Sequence, residues 1–219
     1  MTAAGPVARA AALAALGHRG NLTPDDVARL RLAGTADPDA RVRAAALGAL
    51  VRGDVPDEAL AAWRTARLDA EPAVRRRAGE LAPAVAAIAG ASGPGAIVPE
   101  LLDQLNDRDV TVVETAAWAL GELTDDAIAA GAVIPLAKVA RTHRDPLARE
   151  AAVAALGALG DDAGLPAILG ACSDKPAVRR RAVLALAPFE GPEVEAAIDT
   201  ALTDRDWQVR QAAEDLRDA

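Results

Sequence analysis

The 219-residue chain predicts an all-α solenoid of about seven helical hairpins, and three observations carry that expectation. One short helical pattern recurs along the whole length. An acidic residue stands one helical turn before the arginine that opens most of these recurrences. The composition is 52% hydrophobic but only 2% aromatic, so the core must be built from Ala, Leu and Val. Alanine removes bulk where helices cross and has the highest helix propensity, which suits closely spaced helices.

The recurrence is read from the segments VARAAALAALG, VRAAALGAL, VRRRAGEL, VVETAAWALGEL, AREAAVAALGALG, VRRRAVLAL and VRQAAEDL. They align without gaps on Arg9, Arg43, Arg75, Val113, Arg149, Arg179 and Arg210, called anchors below. The residue three further on is alanine every time: Ala12, Ala46, Ala78, Ala116, Ala152, Ala182 and Ala213. These alanines are expected to be buried at helix crossings. Spacings of 34, 32, 38, 36, 30 and 31 residues between anchors fit two short helices and two turns per unit.

The first helix of each unit is marked by proline. Pro99, Pro135 and Pro166 lie thirteen or fourteen residues before an anchor, while Pro24, Pro56 and Pro192 open their helices, where a missing N–H does no harm. The second helix is marked by Asp39, Glu71, Asp109, Asp145 and Asp206, four residues before an anchor, as N-caps, with Pro72 and Pro146 following. Cap and anchor lie one turn apart and are expected to pair, within a ladder of ion pairs between layers. Asp125-Asp126 and Asp161-Asp162, at equivalent turns, are read as further caps.

About thirteen helices result, over 7–17, 24–33, 40–51, 56–68, 72–89, 96–105, 110–123, 126–141, 146–159, 162–172, 176–187, 192–202 and 206–217. One solenoid spans 1–219. Pro83 falls inside the fifth helix and a long connection follows, so a bend or loose joint is expected near 83–95. Residues 204–219, with Glu214 and Asp215 at otherwise apolar or small positions, read as a C-terminal capping helix.

Proline-bearing first helices followed by D-x-x-V-R-x-x-A-x-x-A-L second helices resemble HEAT-like repeats, in particular the bacterial PBS-lyase type, over essentially the whole chain. The resemblance implies a right-handed superhelical curved rod whose second helices line a concave face. It also implies functions to weigh: a protein-binding scaffold, an accessory subunit similar to the HEAT-like phycobilin lyases, or a nucleic-acid binder similar to the HEAT-like DNA glycosylases.

Charge bears on that choice. The formal net charge is −8; residues 1–110 carry 13 basic and 14 acidic side chains and residues 111–219 carry 11 and 18. Such a chain is not built to coat nucleic acid or an anionic membrane. No stretch approaches the roughly 20 apolar residues of a spanning helix. The opening run ending at Leu16 follows the repeat pattern and is read as a helix instead of a signal peptide. Lone Cys172 permits no internal disulfide, so a cytoplasmic setting is the expectation.

At about 100° per residue, positions one and five after each anchor point away from the buried side, with position two beside them. They supply the candidate partner-binding residues: Arg76, Arg77 and Glu80; Glu114 and Trp118; Glu150; Arg180, Arg181 and Leu184; with Gln211 in the last unit. Trp118 is the informative one, because exposed aromatics anchor interfaces; packing between layers is its alternative role. Trp63 is read as core and Trp207 as a shield over the last layer.

Catalytic readings find no support in the residues. His18 and His143 lie in different turns about four layers apart, Cys172 has no histidine nearby, and no phosphate-cradling glycine motif is present. The expectation is a non-catalytic scaffold with no metal or cofactor, taking a protein or peptide partner and neither nucleic acid nor membrane.

Overall fold

Helix starts in this chain are chemically marked, and the computed structural model, which describes residues 5–89 and 97–218, follows the marks. Fourteen α-helices form among the described residues. They are α1 (Pro6–Arg19), α2 (Pro24–Ala36), α3 (Ala40–Arg52), α4 (Pro56–Ala66), α5 (Pro72–Ile88), α6 (Val98–Gln104), α7 (Val110–Glu122), α8 (Thr124–Ala129), α9 (Val133–Thr142), α10 (Pro146–Leu159), α11 (Leu165–Ala171), α12 (Pro176–Ala185), α13 (Pro192–Ala201) and α14 (Trp207–Arg217). A 3-10 turn, Asp162–Gly164, precedes α11.

The side chains of Asp39, Asp109, Asp145 and Asp206 cap α3, α7, α10 and α14, each accepting a 2.9 Å hydrogen bond from the N–H of Arg41, Thr111, Leu147 or Gln208. Glu71 stands at the same place before α5 but makes no such bond; its extra methylene makes it a poor cap. Asp161 caps the 3-10 turn through Ala163 N–H. Asp125 and Asp126 are not caps: they sit inside the first turn of α8, where the helix dipole favours their charge.

Two expected helices differ in form. The single helix expected over 126–141 is two, α8 and α9, because Gly131 takes φ 76° and reverses the chain. Its N–H bonds Ile128 O and that of Ala132 bonds Ala127 O, closing α8 with a glycine C-cap motif. The fifth helix passes through Pro83 unbroken to Ile88; the remainder of the expected joint, 90–95, lies outside the described residues.

The chain groups into two compact units, 1–97 and 98–219. In the first, α2/α3 and α4/α5 are hairpins, the second helices α1, α3 and α5 pack in sequence, and α2 packs on α4. In the second, α6/α7, α9/α10, α11/α12 and α13/α14 are the hairpins. There α7, α10, α12 and α14 pack in sequence as second helices, and α9, α11 and α13 as first helices.

Small residues set the spacing of the second helices. A Cβ added to Gly17 would stand 2.6 Å from Ala49 Cα, one on Gly121 3.2 Å from Ala155 Cα, and one on Gly157 2.7 Å from Ala185 Cα. Each glycine is eight residues after its anchor and each alanine six, so the same contact recurs layer on layer. Six anchor alanines, Ala46, Ala78, Ala116, Ala152, Ala182 and Ala213, are fully buried. Ala12 is exposed, against expectation. Its counterpart Ala46 is covered by the first helix of its own hairpin, near Gly34, and no described helix takes that place beside α1.

The ion-pair ladder exists, but the caps are not the anchors' partners. Four anchor arginines, Arg9, Arg43, Arg149 and Arg179, reach forward to an aspartate in the next layer's turn, two residues before the next cap or, at Asp174, just before Lys175. Arg43 grips Asp69 through Nε and Nη2 at 2.7 and 2.8 Å, Arg149 grips Asp174 at 2.6 and 2.6 Å, and Arg179 grips Asp204 at 2.8 and 2.7 Å. Arg9 and Asp37 pair the same way. The remaining nitrogen, Nη1, donates to a carbonyl in the arginine's own turn: Asp37 O for Arg43, His143 O for Arg149, Asp174 O for Arg179. The aspartates also accept from turn N–H groups of Asp39, Glu71, Lys175 and Asp206. Asp69, Asp174 and Asp204 are therefore held below the usual carboxylate range, chiefly by the arginine hydrogen bonds.

Two outcomes follow. Gly157→Ala should destabilise the protein by about 1–3 kcal/mol in urea unfolding, despite alanine's better helix propensity, because the helices must separate. Asp174→Asn should cost roughly 3 kcal/mol at neutral pH by leaving Arg149 without its counter-charge. Because the aspartate pKa is depressed, its contribution is complete above about pH 4 and is lost as pH falls further. The gap in thermal stability between wild type and Asp174→Asn should accordingly close in acid.

Candidate functional site

The anchor ladder and the glycine contacts fix the rotation of every second helix, and that rotation decides which side chains face outward. On α7, Val112, Val113, Ala116, Ala117, Ala119 and Leu120 are buried, and Trp118 stands out between its two buried neighbours at 45% exposure. Position five after the anchor recurs on α10 as Ala154, half-buried, and on α12 as Leu184, exposed. The second unit therefore carries an apolar row, Trp118, Ala154 and Leu184, along successive helices. Beside it, one residue after each anchor, run Glu114, Glu150, Arg180 and Gln211. Glu150 reaches Arg181 of the next layer at 3.6 Å, and Glu114 is also engaged. Arg180 has no carboxylate partner among the described residues.

In the first unit the equivalent face carries arginine. Arg76 and Arg77 on α5 both pair with Glu80, the latter at 2.9 Å. Position five on α3 is Gly48, and the tips of Arg77 and Arg52 lie above it. Helical periodicity does not mark Arg52. It is nine residues after its anchor, and its approach to Arg77 depends on how α5 packs on α3.

The other tryptophans divide. Trp63 is fully buried and donates its indole N–H to Ala78 O at 2.8 Å. Trp207 does not shield the last layer as expected: it is 65% exposed at the start of α14, where the first residue of a helix has no turn before it to lie on.

On the first-helix side of the second unit, a cleft of about 860 Å³ is lined by residues including Leu105, Arg108, Ile134, Lys138, Val139 and His143. Among the described residues no three His, Cys, Asp or Glu side chains converge as metal ligands. Burial pushes the Cys172 thiol up to about 11, which keeps it protonated near neutral pH. No described helix is long and apolar enough to cross a membrane.

Residues 133–217 match the family model of HEAT repeats, and residues 96–125 match that of the armadillo/beta-catenin-like repeat. No curated protein matches the chain. Among solved structures, one engineered protein is 20% identical, covering 88% of this chain and 97% of its own, with a TM-score of 0.60. Another engineered protein is 19% identical over 94% and 97%, with a TM-score of 0.61. A designed armadillo repeat protein, solved in complex with the peptide (KR)4, is 17% identical over 94% and 98%, with a TM-score of 0.57. At these identities the likeness is one of fold.

The two tryptophans provide a stability test of the outward face. Trp118→Ala should cost about 2 kcal/mol, since roughly half its area is buried. Trp63→Ala should cost about 3–5 kcal/mol through the cavity it leaves and the loss of its indole hydrogen bond to Ala78 O. Urea unfolding of the two variants should preserve that order.

Proposed function

Because this chain is a HEAT-like repeat protein, we propose that it is a non-catalytic scaffold that holds a protein or peptide segment along the outward face of its second helices. Trp118 carries the reading. A 45% exposed tryptophan beside buried alanines, continued by Ala154 and Leu184, is an apolar anchor row with charged residues on its flank. That is the anatomy of a small interface: an aromatic centre within a polar rim. The binding of (KR)4 by a designed armadillo repeat protein lends the fold class a precedent for extended peptides.

Glu80 interrupts the arginines of the first unit's outward side and Glu114 and Glu150 those of the second's, so neither unit offers a continuous basic track for a duplex. A protonated, largely buried Cys172 thiol gives a catalytic reading no thiolate nucleophile. The lone cysteine fits a reducing, cytoplasmic setting.

The test is capture of partners from native cell extract by immobilised wild-type protein and by Trp118→Ala and Leu184→Ala variants. A protein retained by wild type should bind Trp118→Ala at least about tenfold more weakly, the usual loss for a central aromatic anchor. Retention by all three alike would place the interface elsewhere. Duplex DNA at physiological salt should bind no tighter than about 10⁻⁴ M.

A further inference from the structure

The first unit holds an unusual approach of like charges on the outward side of its own second helices. Arg52 lies in the last turn of α3, and a helical side chain leans back over the turn before it, onto position 48. That position is Gly48, with no side chain in the way. From the neighbouring helix Arg77 reaches the same spot. The point where a Cβ on Gly48 would stand is 3.2 Å from Arg77 Nη2 and 3.4 and 3.5 Å from Arg52 Nη1 and Nη2.

Two guanidinium groups that touch one point repel each other unless an anion lies between them. Arg77 has half a counter-ion, since Glu80 is shared with Arg76. Arg52 has none: among the described residues no carboxylate pairs with it, although Asp54 is two positions on. Burial and the neighbouring Arg77 hold its pKa below the usual value. The favourable end of the α3 dipole accounts for a basic residue at Arg52 but not for its convergence with Arg77. The other arginine triplet is not arranged this way. Arg181 pairs with Glu150, the position equivalent to Gly48 is Ala154, and the position equivalent to Arg52 is Ala158.

We propose that Arg52 and Arg77, above Gly48, form a clamp for a carboxylate, and that it receives an aspartate or glutamate side chain of an acidic peptide segment. Three guanidiniums sharing one internal carboxylate supply the charge complementarity, and the bare, buried Gly48 lets the two tips settle together against α3 while Arg52 stays exposed to the incoming oxygens. Planar guanidiniums suit the shape of a carboxylate. The clamp rests on the scaffold reading, with this face as the binding face, and adds the chemistry of the bound segment.

The probe is the capped peptide acetyl-tetraglutamate amide, with acetyl-tetraglutamine amide as control, titrated into the full chain while the arginine Nε–Hε resonances are followed by NMR. Tetraglutamate should shift the Arg52 and Arg77 resonances saturably, more weakly at 200 mM than at 50 mM salt, and tetraglutamine should not. Arg52→Gln should weaken binding about tenfold or more. Gly48→Glu, which builds a carboxylate into the spot, should abolish it while leaving the helical circular dichroism intact. Absence of shifts at both arginines, equal binding of tetraglutamine, or unchanged affinity in Arg52→Gln would overturn the proposal. So would inorganic phosphate shifting both resonances when tetraglutamate does not. Neither peptide titration involves Trp118, so a scaffold reading lost in the extract experiment leaves this result standing, and a failed clamp leaves the Trp118 face untouched.

Discussion

Everything in the two units hangs on one interaction, the arginine that joins its own turn to the turn of the next layer. The guanidinium donates Nη1 to a carbonyl of its own turn and Nε with Nη2 to the next aspartate, and that aspartate's other contacts are turn N–H groups. A buried ion pair offsets its desolvation only with good geometry and satisfied lone pairs, and here both conditions are met. Because both ends are tied to backbone, a layer cannot rotate or slide without breaking several charge-assisted bonds together. The outward positions of Arg52 and Arg77 in the first unit, and of Trp118 and Leu184 in the second, are consequences of that fixed registration.

A broken rung in the second unit shows the same rule from the other side. Val113 replaces the anchor arginine and is buried. In the next layer the aspartate's place is taken by His143, whose Nδ1 accepts the Asp145 N–H at 3.1 Å. Cation and anion are lost together, so neither is left uncompensated. A third change lies in the same layer. Nine residues before the other hairpin anchors stand Gly34, Ala66, Ala140, Gly170 and Ala201, whereas Gln104 precedes Val113. Gln104 is buried, and its amide atoms have no hydrogen-bond partner among the described residues. The larger side chain coincides with the loss of arginine bulk.

Glycine and alanine complete the geometry. With Gly17, Gly121 and Gly157 against Ala49, Ala155 and Ala185, successive second helices approach until backbone meets backbone, which is what a core nearly free of aromatics permits. Close approach also brings outward side chains of neighbouring layers within reach of one another. The Arg181–Glu150 pair and the convergence of Arg52 with Arg77 both arise between layers, not within a helix.

The repeat, its helices and most of its caps were legible in the residues, because proline, aspartate and alanine act within one turn and their effects do not need the rest of the fold. Six of the seven anchor alanines, the core position of Trp63 and the exposed face of Trp118 followed from helical periodicity alone. Where tertiary context decides, sequence reasoning chose wrongly or not at all. Nearness in sequence pairs the cap aspartates with the anchors, but a side chain occupied in capping has its oxygens turned to its own helix, and the arginine finds the next layer. Ala12 is exposed because burial needs a neighbour that periodicity cannot supply, and the break at Gly131 turns on one backbone angle. Arg52 went unnoticed because nothing within its own helix distinguishes it. Its meaning depends on Arg77, 25 positions away, and the packing of α5 on α3 is what brings the two charges to one point.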